Sequence, residues 1–252
     1  MTYCQRCDSE NSDEATLCQA CGAPMRSGTL VMAVSQLAPR PQVSIRVVRA
    51  DGGPESVVKM QRDTLTCGQQ YGDLVLSDDP FVMPQQARFF FSGAHLAVED
   101  VGGANGVFVR LRQERELPTR GELRLGRQRL VLEPIPTAST GPGGAQIWGS
   151  PDVGYRLRLV QLLEGGMRGA AFPLKEGDNL LGREHGDITF PTDGFVSGRH
   201  AVLNVRQDQL TVRDVGSSNG TFIRLAGPSF VDNGDHFLIG RQLLRVELQM
   251  NG

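Results

Sequence analysis

The stretch "DVGSSNGTF", Asp214 to Phe222, follows an alternating run, "QLTVRDV", and leads straight into the apolar pair Phe222-Ile223. A near copy, "DVGGANGVF", runs from Asp100 to Phe108. Small polar residues between two apolar runs read as a β-hairpin with Asn-Gly in its turn. Outward from these two hairpins, the chain aligns with itself without a gap from Gly68 to Leu111 at a shift of 114 residues, Gly68 falling on Gly182. Gly72-Asp73 then falls on Gly186-Asp187, Phe81-Val82 on Phe195-Val196, and Asn105-Gly106 on Asn219-Gly220. Turn residues that stay in register over so long a window mark a duplicated domain.

Each copy reads as a series of short strands. The second offers "YRLRLVQLL", "GAAFPL", "DITF", "HAVLNV", "QLTVRDV", "TFIRL" and "LLRVELQ". The first offers "SIRVVRA", "ESVVKM", "DLVL", "RFFF", "HLAVEDV", "VFVRL" and "RLVLE". Gly, Asp or Pro separates the runs, several alternate, and no amphipathic stretch of helical length interrupts them. The expected fold is mainly β, with two β-sandwiches. The expected boundaries are 1–25 for a cysteine-rich segment, 26–40 for a linker, 41–133 for the first sandwich, 134–152 for a flexible linker and 153–252 for the second sandwich. The linker 134–152 is rich in Pro, Gly, Ser and Thr but contains Trp148, which is expected to dock partly on a neighbouring domain.

The chain has 252 residues and a net charge of −2, which gives no general reason to bind nucleic acid or an anionic membrane. No segment approaches eighteen continuous apolar residues, and the start, "MTYCQRCDSEN", lacks the order of a signal peptide. A cytoplasmic location without a membrane partner is therefore expected.

Cys4, Cys7, Cys18 and Cys21 form two CxxC pairs within the first 21 residues, while Cys67 stands alone as an expected buried filler. Four thiolates in this spacing suit a tetrahedral site, and soft ligands select zinc over hard cations. A structural Zn2+ is expected; an iron–sulfur cluster is chemically compatible with the same set. Residues 3–25, "YCQRCDSENSDEATLCQACGAPM", resemble the small zinc ribbon at the N-terminus of many bacterial proteins, although Asp8 replaces the usual Gly after the first pair. The ribbon carries Arg6 and no Lys against Asp8, Glu10, Asp13 and Glu14, which argues against nucleic acid as its partner.

The second copy carries, in order, "LLGREHGDI", "FVSGRHA", "DVGSSNGTF" and "VDNGDHFLIGR". This ordered set resembles the forkhead-associated (FHA) domain, a phosphothreonine-peptide-binding module, over Tyr155 to Met250. The residues support the assignment on their own chemistry. Arg183, in a loop after an apolar strand, offers a planar fork suited to phosphate oxygens, or else a surface ion pair with Asp187. Ser197 adds a hydroxyl and a backbone N–H, and Gly198 an unusual backbone angle that permits close approach. Asn219 offers an amide donor and a carbonyl acceptor, and Gly220 tolerates positive φ. The resemblance implies that Asn219 bonds the peptide backbone, that Ser218 reaches the phosphate, and that His200 is structural, bracing the serine loop. Arg199, in the same loop, is expected to reach the peptide, and Arg224 either steers an acidic ligand or is solvated. The residue that selects the flanking position is expected around Thr192 to Phe195 or at Ser217. His185 and His236 are expected in exposed loops.

The first copy keeps Asn105-Gly106 but puts Gln69 in place of Arg183, Met83 for Ser197, Pro84 for Gly198 and Gln86 for His200. Gly103 and Ala104 replace two hydroxyls. It reads as a degenerate FHA-like domain without the charge-assisted bonds a phosphate needs. No nucleophile and base pair up in either copy, so an enzyme is not expected. The expected function is a phosphothreonine-binding adaptor in serine/threonine kinase signalling, acting through the second copy on a kinase or its substrate. The alternative is a phosphate-independent scaffold that uses both copies and the ribbon, in a homo-oligomer or a larger assembly.

Overall fold

The computed structural model describes residues 2–3, 10–12, 39–48, 55–137, 139–151 and 153–250. The chain divides into two units, Met1–Ala38 and Pro39–Gly252. In the first, β1 (Thr2–Tyr3) pairs antiparallel with β2 (Glu10–Asn11), Tyr3 opposite Glu10. Cys4, Cys7, Cys18 and Cys21 lie outside the described residues, as does the apolar stretch 29–37.

The second unit is built of strands. The first repeat supplies β3 (Gln42–Val48), β4 (Ser56–Lys59), β5 (Thr64–Gly68), β6 (Leu74–Val75), β7 (Ala87–Ser92), β8 (His95–Asp100), β9 (Val107–Arg110), β10 (Arg115–Glu116), β11 (Glu122–Leu125) and β12 (Gln128–Pro134). The second supplies β13 (Leu157–Leu162), β14 (Arg168–Leu174), β15 (Gly177–Gly182), β16 (Ile188–Thr189), β17 (Ala201–Arg206), β18 (Gln209–Asp214), β19 (Thr221–Arg224), β20 (Ser229–Phe230), β21 (His236–Ile239) and β22 (Gln242–Gln249). Alternation produces these strands. In β3, Val43, Ile45 and Val47 are buried between more exposed neighbours; in β18, Leu210 and Val212 are. Among the described residues no helix is long and apolar enough to cross a membrane.

Ten strands form one sheet in the order β14-β13-β12-β11-β19-β9-β21-β22-β3-β4. Two five-stranded sheets, β6-β5-β7-β8-β20 and β16-β15-β17-β18-β10, complete the unit. Phe89 of β7 meets Phe237 of β21 edge-to-face at 5.7 Å, and Phe172 of β14 meets Phe190, just after β16, in the same way at 5.7 Å. The architecture is mainly β, with side chains of each smaller sheet packed against the large one.

The pairing differs from the sequence expectation in one respect. Neither sandwich closes within its own stretch of chain, so 41–133 and 153–252 are not the spatial boundaries. The last three strands of each repeat sit on the other repeat. β10 pairs with β18, β11 with β19, and β12 with β13. Reciprocally, β20 pairs with β8, β21 with β9, and β22 with β3. The chain crosses over just after β9 and just after β19, which pair with each other at the seam. The crossing is symmetric: the Leu111 N–H donates to Thr221 O and the Leu225 N–H to Val107 O, each at 2.8 Å. The physical reason lies in the duplication itself. The two C-terminal hairpins present similar apolar faces, so each fits the sandwich of the other.

Two local expectations are also corrected. Trp148 does not dock but is 94 % exposed. His236 lies in strand β21 and is half-buried rather than looped out. Of the "RFFF" run, Phe89 is core, whereas Phe90 and Phe91 lie under Arg88 and Arg40 at 5.1 and 4.8 Å. Cys67 is fully buried, which pushes its thiol up to about 12.

Candidate functional site

The site is assembled by three loops of the second repeat. β15 ends at Gly182, where a Cβ would collide with the carbonyl oxygens of Gly198 and His185. The missing side chain lets two loops close on each other. The Arg183 N–H donates to Ser197 O at 2.9 Å, and the His185 N–H to Gly198 O at 3.2 Å. The Arg183 side chain, partly exposed, pairs with exposed Glu184 at 2.9 Å. Asp187 is engaged elsewhere, with Lys175 and the Leu180 N–H.

The second loop is braced from beneath. His200 is fully buried, and its Nδ1 accepts the Ser197 N–H at 3.0 Å. Its Nε2 lies 3.1 Å from Gly220 O, an acceptor, so the ring carries its proton on Nε2 and is neutral. Burial holds the imidazole below its usual range, and Arg110 pushes the same way, against the Gly220 carbonyl, Asp214 and Asp193. Asp193, also buried, fixes the front of the loop by accepting the Phe195 N–H at 3.0 Å.

The third loop is organised by Asp214. It accepts the N–H groups of Gly216 and Ser217 at 2.9 and 2.8 Å, and the hydroxyls of Ser217 and Thr221 at 2.6 and 2.7 Å. Burial acts to raise its pKa, but these bonds outweigh it and hold the carboxyl below the usual range. Ser217 Oγ in turn accepts the Gly220 N–H at 2.9 Å. Gly220 has φ +86°, and a Cβ there would collide with the Arg110 side chain. Two bonds tie this loop to the second: the Ser218 N–H to Ser197 Oγ at 3.1 Å, and Asn219 Nδ2 to Phe195 O at 2.8 Å.

Together the loops enclose a cleft of about 240 Å³ lined by Arg183, Phe195, Ser197, Gly198, Ser218 and Asn219, with Gly194 and Val196. Arg199 is exposed and lies off the cleft. Two finer expectations change. The Ser197 N–H is consumed by His200 and is not free for a ligand. Gly198 has no positive φ; its own N–H has no acceptor among the described residues. Asp214 and Thr221 escaped the sequence reading of the site, and Ser217, expected to select the flanking position, is instead buried and bonded to Asp214 and the Gly220 N–H. Their signal was the Asp-x-x-Ser spacing of a side-chain-capped turn. Arg224 neither steers nor is solvated; it is bound to Glu122 at 2.6 Å and to Asp100 at 3.6 Å. A larger cleft, about 750 Å³, lies beside the crossover segments around Leu117, Pro118 and Pro228. Its charged pair Arg224–Glu122 is internally satisfied; the loops that carry Arg183, Ser197 and Asn219 line the smaller cleft.

The first repeat repeats the frame. Gln86 Oε1 accepts the Met83 N–H at 3.2 Å, where His200 accepts that of Ser197. Asn105 Nδ2 donates to Phe81 O at 2.8 Å, as Asn219 does to Phe195. Asn105 Oδ1, however, is taken by Arg129 at 3.3 Å, and Gln69 Nε2 turns to Asp79 O at 3.3 Å.

The FHA domain family model matches residues 179–240. Over 106 residues, 41 % of this chain, the sequence is 30 % identical to an oxoglutarate dehydrogenase inhibitor of Corynebacterium glutamicum and covers 73 % of that protein. Over 69 residues, 27 % of this chain, it is 38 % identical to the FHA domain-containing protein FhaB of Mycobacterium tuberculosis. There it spans 44 % of the relative's length. A solved structure from a study of phosphothreonine-dependent FHA domain interactions is 27 % identical, with 37 % of this chain and 95 % of that one covered and a TM-score of 0.23. Mycobacterium tuberculosis EmbR in complex with a low affinity phosphopeptide is 22 % identical, with 45 % and 27 % covered and a TM-score of 0.22.

Proposed function

The chain belongs to the FHA-domain proteins, whose modules are non-catalytic adaptors, and from that premise we propose that the second repeat's cleft binds a phosphothreonine peptide. One observation carries the reading: Arg183, the Ser197 hydroxyl, the Gly198 N–H and the Asn219 carbonyl converge on one cleft with donors and acceptors unspent on the fold. Among the described residues the Arg183 side chain is held only by Glu184, and an exposed pair of this kind is worth about 0–1 kcal/mol. A phosphate carrying close to two charges displaces it and accepts the guanidinium fork, the Ser197 O–H and the Gly198 N–H. Asn219 spends Nδ2 on Phe195 O, which leaves Oδ1 to accept an N–H of the peptide backbone. The partner is a threonine-phosphorylated protein, a serine/threonine kinase or its substrate.

The test is titration of the full chain with phosphothreonine, phosphoserine and unmodified versions of one peptide. Arg183→Ala should cost about 2–5 kcal/mol, the range for truncating one side of a hydrogen-bonded charge pair. The phosphoserine peptide should bind several-fold more weakly, since a buried methyl is worth roughly 1 kcal/mol. Unchanged binding in Arg183→Ala would replace this reading with the phosphate-independent scaffold. For the first unit, we propose on cysteine spacing alone that Cys4, Cys7, Cys18 and Cys21 hold one structural zinc. Metal analysis should find about one zinc per chain, lost in Cys18→Ser; disulfides in cytosolic protein would exclude it.

A further inference from the structure

The strand exchange carries the β11–β12 turn of the first repeat, Gly126-Arg127, to the lip of the second repeat's cleft. Two bonds clamp it there. The Arg127 N–H and Gln128 Nε2 donate to Asp193 Oδ2 at 2.8 and 2.7 Å, while Asp193 Oδ1 accepts the Phe195 N–H. Gly126, at φ +54°, packs so closely that a Cβ would lie 2.7 Å from Val196 Cγ2. The Arg127 guanidinium then lies 4.8 Å above the ring of Phe195, an exposed residue of the cleft wall. The turn and the wall are one rigid piece.

The charge at this position is uncommitted. Arg127 is exposed and makes no ion pair among the described residues. Its counterpart, Arg241, stacks on Phe81 at 4.3 Å beside the first repeat's cleft but is paired with Glu164 at 3.5 Å. The same asymmetry holds at the seam, where Arg224 is bound to Glu122 and Asp100 while Arg110, behind Gly220, has no carboxylate partner among the described residues. The first repeat thus lends cations to the second repeat's site, and the cations lent in return each have a carboxylate partner. The geometry points to Arg127 as a specificity-determining residue of the phosphopeptide site, contributed by the first repeat, that selects an acidic side chain flanking the phosphothreonine along Phe195. This rests on the phosphopeptide reading of the cleft. Arg183, Ser197 and Gly198 take the phosphate; the aromatic ring holds Arg127 in place at low entropic cost and leaves its N–H donors to a second anion.

The experiment uses the full chain and a phosphothreonine peptide library in which one flanking position at a time is Asp, Ala or Lys. Wild type should prefer Asp over Ala at one flanking position by roughly two- to fivefold, the range of an exposed charge pair. Arg127→Ala should abolish that preference while retaining phosphate dependence, and Arg127→Glu should reverse it toward Lys. Arg241→Ala should leave it intact. Phosphate-dependent binding in which Arg127→Ala and Arg127→Glu keep the wild-type flanking profile overturns this inference and spares the phosphopeptide reading. Binding of the library that ignores phosphate and Arg183 overturns both.

Discussion

In the second repeat His200 accepts the Ser197 N–H at 3.0 Å; in the first, Gln86 accepts the Met83 N–H at 3.2 Å. Asn219 and Asn105 hold the facing carbonyl at the same 2.8 Å. The bonds that shape the loop have therefore survived in both clefts. What differs is the set of groups that the fold leaves unspent. Arg183 and Ser197 have become Gln69 and Met83, and the acceptor of Asn105 has been claimed by Arg129. A buried polar group must be satisfied for the fold to stand, so the frame is held by stability. An exposed guanidinium or hydroxyl costs the fold little to lose, so the proposed recognition chemistry would be held only by use.

The comparison breaks most completely if the repeats can be separated. β10–β12 bury Leu117, Leu123, Leu125, Leu130 and Leu132 in the exchanged arrangement. At roughly 1.5–3 kcal/mol each, an upper estimate, these match the whole net stability of a domain, about 5–15 kcal/mol. Fragments 39–136 and 153–250 should each fail to give a folded monomer alone and should co-purify as a folded pair when co-expressed. Hydrogen exchange and sizing of each fragment check this; a stable monomeric second fragment would show that the exchange is dispensable. Next in size is Arg183→Gln, which copies Gln69 and should lose as much phosphopeptide affinity as Arg183→Ala.

The smallest effect sharpens the comparison. His200 has its folded pKa depressed below the unfolded value of 6.5. Between the two values the unfolded chain binds the proton and the folded one does not, so stability rises with pH in that window and is lost as pH falls below 6.5. His200→Gln, borrowing the solution of Gln86, should keep the loop and reduce this slope, leaving the share of His236, whose imidazole burial also depresses. Thermal melts from pH 7.5 to 5 on both proteins check it, and an equal slope in the variant would assign the titration elsewhere.

The repeat, the strands and the three loops that line the cleft were legible because turn chemistry and alternation are local. Asn219-Gly220, Arg183 and Ser197 each announce themselves within a few residues. The exchange was not legible for the same reason. Leu244 and Val246 of β22 bury the same face whether β22 lies beside β13 or beside β3, where it is found. Alternation records which face of a strand is buried and is silent on which neighbour buries it. Arg127 escaped notice as a site residue because it is near Phe195 only through that pairing.

The crossing after β9 and β19 has a consequence for inheritance. A duplicated gene segment ordinarily leaves a spare, free to drift and then to be discarded. Here the first segment was free to drift in its cleft but not to be discarded, since deleting it would remove β10, β11 and β12 from beside β18, β19 and β13. Compensating changes should link positions more than a hundred residues apart, such as Phe89 with Phe237, more tightly than positions within one segment. The two segments are descended as copies and are now maintained as halves.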